Sequence, residues 1–231
     1  MVYLHLPFRV RAQHDLATPL LNACEDGDEE VVLGLLKMGA DANERGDKGV
    51  TGLMTAASWG HAEVCRILIA HGADVTLVDD NGDTALHEAA RADEMDVVDL
   101  LCETPGVDVN VKNKLECTPL HVASHAGHGQ MVKLLIRLGA CVNGPKGEMR
   151  GGYSALHVAA ANGSNSSLSA LLESGANIRH SASETNMLHH ARSGSATALE
   201  LAEAHGQREA TRLLRRASQQ EFDRSGLFGP E

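Results

Sequence analysis

Apolar residues along this chain fall in short bursts at helical spacing, and the bursts come in pairs. "VVLGLL" at 31–36 and "MVKLLI" at 131–136 are second members of such pairs. Apolar residues recurring three and four positions apart mark one buried helix face. Each pair is preceded by a hydroxyl residue: Thr18, Thr51, Thr84, Thr118, Ser154 or Thr197. A Ser or Thr at that place caps the free amides of a helix start. The two bursts are separated by a turn, usually at a glycine: Gly27, Gly60, Gly127, Gly163, Gly206. The second burst ends at Gly39, Gly72, Gly106, Gly139 or Gly175, where a left-handed residue stops a helix. A polar, Gly- and Asp-rich stretch then leads to the next pair.

The hydroxyl residues are 33, 33, 34, 36 and 43 positions apart. One unit therefore recurs, and its late copies carry insertions. Two short helices cannot bury their apolar faces alone, so neighbouring units must stack. The pattern predicts an N-terminal extension at 1–12 and five units at 13–45, 46–78, 79–112, 113–145 and 146–180. An irregular insertion at 181–196, with a degenerate helical turn around 187–191, separates these from a capping unit at 197–217. A tail at 218–231 follows.

Three motifs carry a resemblance. "TPLHVA" at 118–123, "GHAEV" at 60–64 and "GADV" at 72–75 resemble the ankyrin repeat, in register across residues 13–217. The resemblance implies an all-α repeat, a solenoid of helix–turn–helix units joined by β-hairpin loops, that binds proteins. The second unit departs from the pattern with Gly52 and Met54 where the family has Pro and His. The third has Asp93 at the turn glycine and the extra Pro105. The fifth has inserted residues before Ser154.

Composition adjusts this picture. Aromatic residues make up 3% of the chain, so the core is expected to be Ala, Leu and Val. From 13 to 112 there are 21 acids and 6 bases, net −15, whereas 113–231 has 10 acids and 12 bases. A duplex-DNA binder needs the opposite balance, so nucleic acid is not an expected partner. No apolar run approaches the roughly 18 residues of a membrane span, and the start lacks a clear secretory leader. Cys24, Cys65, Cys102, Cys117 and Cys141 form no CxxC pair and read as reduced thiols in a cytoplasmic or nuclear setting.

Catalytic and metal chemistry finds little support. His87, His121 and His157 recur at one position of successive units, a repeat apart and too far to share a metal ion, whose nitrogen ligands sit near 2.0–2.1 Å. The resemblance implies that these histidines bond backbone and the Thr hydroxyl. His189–His190 lacks a third ligand, and "EDGDEE" at 25–30 lacks the alternating ligands of a calcium loop. "GPKGEMRGG" at 144–152 is no phosphate loop. The expectation is a non-enzyme with no cofactor and no metal.

Trp59, the only tryptophan, stands at the end of a first helix. The same place in other units holds Asp26, Ala92, Ala126 and Asn162. A close-packed core would not accept such unlike volumes, so Trp59 is expected to face outward. The alternative is packing flat over a neighbouring turn. The family's binding surface, carried onto this chain, comprises hairpin tips and first-helix ends. The tips are Asp47, Lys48 and Val50; Asp80, Asn81 and Asp83; Lys114, Leu115 and Cys117; Arg150 and Tyr153. The helix ends are Glu25, Asp26, Ser58, Trp59, Arg91 and His125. These imply a protein partner whose basic segment faces the acidic first three units, with Trp59 and Tyr153 as anchors. A structural subunit of a larger assembly is the alternative function. "GADAN" and "GACVN" also resemble hairpins hydroxylated at asparagine, here Asn43 and Asn143, where the alternative is a bracing role. Arg215, Arg216 and Ser218 resemble a basophilic kinase site at a helix end.

Overall fold

The structure, a computed structural model, describes residues 19–143, 152–183 and 195–224. Among these residues twelve α-helices form six consecutive pairs. They are α1 (Pro19–Asp26) with α2 (Glu29–Lys37), α3 (Gly52–Ser58) with α4 (Ala62–Ala70), and α5 (Ala85–Ala92) with α6 (Met95–Glu103). There follow α7 (Pro119–Ala126) with α8 (Gly129–Arg137), α9 (Ala155–Asn162) with α10 (Asn165–Glu173), and α11 (Ala198–Ala204) with α12 (Arg208–Arg224).

Local chemistry explains the helix ends. Thr51 accepts from the Met54 amide, and Thr84, Thr118 and Ser154 each close a capping box with a histidine three residues on. Thr197 does the same with Glu200. Such boxes satisfy amides that a helix start otherwise leaves free. Asp28 caps α2 by accepting from the Val31 amide at 3.0 Å, and Glu29 and Glu30 favour the positive end of that helix dipole. Asp93 takes the left-handed conformation (φ 66°) of the glycine it replaces, a conformation that Asp tolerates better than most side chains.

The pairs stack in two rows. Odd-numbered helices pack on odd and even-numbered on even, along the length of the chain. One side of the odd row repeats a simple rule. Leu20, Leu53, Leu86, Leu120 and Leu156 are at most 2% exposed; Ala23, Ala56, Ala89, Ala123 and Ala159 follow three residues later, also buried, and the buried Ala202 holds the same place in the last unit. Small residues at a fixed register let helices approach within about 8–10 Å, which is why this core needs few aromatics.

Two features differ from the sequence expectation. The stretch expected to be irregular is closed at its base: β1 (Ser181–Ser183) pairs antiparallel with β2 (Ser195–Thr197), Ser181 opposite Thr197. Ala182 and Ala196 of this pair are buried with Tyr153 and Leu201. The turn expected at 187–191 lies outside the described residues. The last helix also runs to Arg224, so residues 218–224, expected as tail, are helical. Nothing from Arg208 to Arg224 is Gly or Pro, and no breaker stops the helix earlier.

Candidate protein-binding surface

The candidate residues fall in two rows at opposite ends of the odd helices. The hairpin loops precede the helix starts, and the helix–turn–helix edges follow the helix ends. An eight-residue helix separates the rows by about 12 Å.

The hairpin row is held by backbone. Each loop closes on itself: Gly46 N–H donates to the Val50 carbonyl (2.8 Å), Asp79 to Asp83 (2.9 Å), and Asn113 to Cys117 (2.9 Å). Neighbouring loops are then tied, Asp80 N–H to the Lys48 carbonyl (2.8 Å) and Lys114 N–H to the Asn81 carbonyl (2.9 Å). Asp47, Lys48, Asp80, Asn81, Lys114 and Leu115 are exposed, Leu115 at 56%. Val50 and Cys117 are half-buried. The ammonium of Lys114 donates to the Asp80 carbonyl at 2.7 Å.

Two expected surface residues are buried instead. Asp83 is 3% exposed. Its carboxylate accepts from Asn113 Nδ2 (2.6 Å) and pairs with Arg91 (2.5 Å). A short acidic side chain at a loop base is spent on joining the third unit to the fourth. Tyr153 is 7% exposed. Its ring meets His157 edge-on at 5.8 Å and covers the strand pair, so it is core rather than anchor. Arg150 lies outside the described residues.

Asp79, Asp83 and Glu88 bring three carboxylate oxygens within 4.8 Å of one another. Arg91 takes up that charge, reaching Glu88 as well as Asp83, and Asp79 accepts the Asn81 and Asp83 amides at 2.8 Å each. Arg91, expected as a free contact, is thus committed to an internal ion pair.

The three recurrent histidines are structural. Thr84, Thr118 and Ser154 place their amide and hydroxyl on Nδ1 of His87, His121 and His157, and each Nε2–H donates forward to the carbonyl of Cys117, Tyr153 or His180. Burial holds the imidazoles of His121 and His157 down to about 4, and that of His87 below the usual histidine range. Asn43 and Asn143 also brace adjacent units. Asn43 donates to the Gly72 carbonyl (3.0 Å) and accepts from Asp74 N–H (2.7 Å); Asn143 does the same with Gly175 (2.9 Å) and Asn177 (2.9 Å). Ser218 sits inside α12, half-buried, rather than at a helix end.

The turn edge carries the charge. Segments 25–30, 58–63 and 91–96 hold nine acids and one base, Arg91; segments 125–130 and 161–166 hold neither acid nor Lys or Arg. Glu25, Asp26 and His125 are exposed and Ser58 is half-buried. Trp59 is 56% exposed in the middle of the acidic part. Sequence reading missed Met95, 44% exposed at the start of α6. It also missed Glu94. That residue occupies a register position held by Asp28, His61, His128, Ser164 and Gln207 in the other units, and with Asp28 also acidic the column carried no sequence signal.

Cys24 and Cys65 are buried, and burial pushes their thiols up to about 12; Cys102 and Cys117 rise to about 11 for the same reason. Thiols so protonated are poor nucleophiles. No described helix is long and apolar enough to cross a membrane.

Stacked helix pairs define a repeat protein of the solenoid class, whose extended surfaces serve partner binding in general. The sequence matches the family of ankyrin repeats (3 copies) over residues 20–113 and 105–182. The chain belongs to the ankyrin repeat family. It is also 44% identical over 54 residues to alpha-latrocrustotoxin-Lt1a of Latrodectus tredecimguttatus, a stretch covering 23% of this chain and 4% of that protein. The chain therefore spans far less than two thirds of that relative.

Proposed function

We propose that the chain is a non-catalytic protein-binding module that takes a basic segment of its partner along the acidic first three units. The observation that carries this reading is Trp59. The only tryptophan of the chain is more than half exposed, at a position where other units hold Asp26, Ala92, Ala126 and Asn162. Exposed tryptophans are enriched among the residues that dominate binding energy. The acids around it would steer a basic partner and set its register. The contacts assigned to the partner are Glu25, Asp26 and Trp59 on the turn edge, and Asp47, Lys48, Asp80, Asn81, Lys114 and Leu115 on the hairpin row. Acidic net charge argues against nucleic acid as the partner. The free cysteines agree with a cytoplasmic or nuclear setting.

The test is affinity capture from the source cell with the native chain, Trp59→Ala and Leu115→Ala, all shown by thermal melts to be equally folded. A partner retained by the native chain and weakened at least tenfold by Trp59→Ala supports the reading. Partners held equally by all three forms would show that neither row binds.

A further inference from the structure

The turn edge contains a ladder of hydrogen bonds with one rung missing. At the first junction, His61 Nε2–H donates back to the Glu25 carbonyl at 3.1 Å. At the third, His128 Nε2–H donates to the Arg91 carbonyl at 3.0 Å; at the fourth, Ser164 Oγ–H to the His125 carbonyl at 3.2 Å; at the fifth, Gln207 Nε2–H to the Ala161 carbonyl at 3.1 Å. The second junction places Glu94 in this column, where the register of the other rungs assigns the Ser58 carbonyl as the acceptor. Glu94 folds over Gly60, where a Cβ would collide with its carboxylate, as a Cβ on Gly27 would collide with His61 at 2.6 Å. The slot is the same, but an ionised carboxylate only accepts. Among the described residues neither the Ser58 carbonyl nor the Glu94 carboxylate has a hydrogen-bond or ion-pair partner.

The same junction keeps the backbone tie from Asp80 to Lys48 but lacks two recurrent side-chain ties. Met54 stands where later units have the histidine, and Thr76 stands where Asn43 and Asn143 brace their neighbours. Thr76 turns back on Asp74 at 2.6 Å. The Gly60–Glu94 contact is flanked in sequence by two exposed side chains, Trp59 next to Gly60 and Met95 next to Glu94.

We infer that this junction binds an arginine side chain of a partner peptide. The inference rests on the protein-binding reading above and assigns it a specific pocket and chemistry. A guanidinium carries five donors in a plane and no acceptor. It supplies the donor that the Ser58 carbonyl lacks, neutralises Glu94, and presents a flat cation to the Trp59 ring. The methionine offers apolar cover for the aliphatic stem. The partner completes from outside the rung that other junctions complete from within.

The experiment uses the full chain and the blocked peptide acetyl-(Ala-Arg)3-amide, with its neutral citrulline counterpart as control. Trp59 is the only tryptophan, so its emission reports this junction. The arginine peptide is expected to give a saturable emission change and to shift the Trp59 indole and Gly60 amide resonances, and the citrulline peptide to bind at least tenfold more weakly. Glu94→Gln restores an internal donor of the kind Gln207 provides. It is expected to raise the melting temperature and to weaken the arginine peptide at least tenfold. A purely structural Glu94 moves the melting temperature and leaves the peptide affinity unchanged, which overturns the inference. Shifts confined to Asp80, Asn81 and Leu115 overturn it too, while leaving the protein-binding reading intact. No response at any residue overturns the arginine site; the broader reading then stands or falls on Trp59→Ala in the capture experiment.

Discussion

His121 binds two units at once: Thr118 caps its Nδ1 through an amide and a hydroxyl, and its Nε2–H donates to the Tyr153 carbonyl at 3.2 Å. These partners permit only the neutral ring protonated on Nε2, because Nδ1 must accept from an amide. The relation repeats at His157 and the His180 carbonyl.

Stability should therefore depend on pH in a defined window. His121 and His157 titrate near 6.5 when unfolded and at about 4 when folded, with burial the first cause. Above 6.5 both states are neutral and the contribution is complete. As pH falls from 6.5 towards 4 the unfolded chain takes up protons that the fold refuses, so stability is lost at about 1.4 kcal/mol per pH unit per histidine. Denaturant midpoints measured from pH 8 to 4 check this; a flat profile between 6.5 and 4.5 contradicts it.

His121→Ala should cost about 2–3 kcal/mol, since it strands the buried Thr118 amide and removes the bond that ties the Tyr153 carbonyl to this unit. Chemical denaturation at pH 7.5 measures the loss. Asn43→Ala removes two bonds as well, but at an exposed junction where water replaces them. It should cost about 1 kcal/mol at most, and the difference between the two variants is the informative quantity.

Two glycines separate backbone strain from crowding. Gly72 (φ 89°) has nothing within 4 Å of a built Cβ, whereas Gly82 (φ 81°) would place that atom 2.7 Å from the Lys114 backbone nitrogen. Gly72→Ala should cost about 1 kcal/mol from its left-handed backbone alone. Gly82→Ala should cost at least twice as much, because a backbone neighbour tied to the Asn81 carbonyl cannot step aside. Equal melting temperatures for the two variants would contradict the packing of the hairpin row.

Ser218→Glu, standing for a phosphate, should change stability by less than about 0.5 kcal/mol. The residue is six positions before the end of α12, beyond the last turn where the helix dipole acts. Arg215, three residues earlier, is paired with Glu203 at 2.8 Å and would exchange one acid for another. Thermal melts decide; a fall of several degrees would show that Ser218 packs more tightly than its half-burial indicates.

Much of the division between core and exposed surface was legible from repetition. Because each unit reuses one register, comparing units within the chain separated core from surface: Ala56 and Ala89 share their place with four other alanines, while Trp59 shares its place with unlike residues. The exposure of Trp59 followed from that comparison. Asp83 and Tyr153 escaped it. Both stand in hairpins, where the pattern marks a polar loop but does not say whether a side chain turns out or back. Asp83 turns back because Asn113 and Arg91 wait in the next loop and the next helix. Tyr153 turns in because the strand pair beyond 181 leaves an apolar gap.

The sequence by itself determined the unit, its period, its capping residues and its family, because those are set by neighbours three or four positions away on one helix. Only the tertiary structure decided which polar groups are spent. Whether Asn43, Asp83 or His128 is free or engaged depends on residues 29, 30 and 37 positions off, brought alongside by stacking. The vacant rung at Glu94 is of this kind. A lone glutamate says nothing in the chain, and stands out as an unmatched acceptor only when stacking sets it over Gly60.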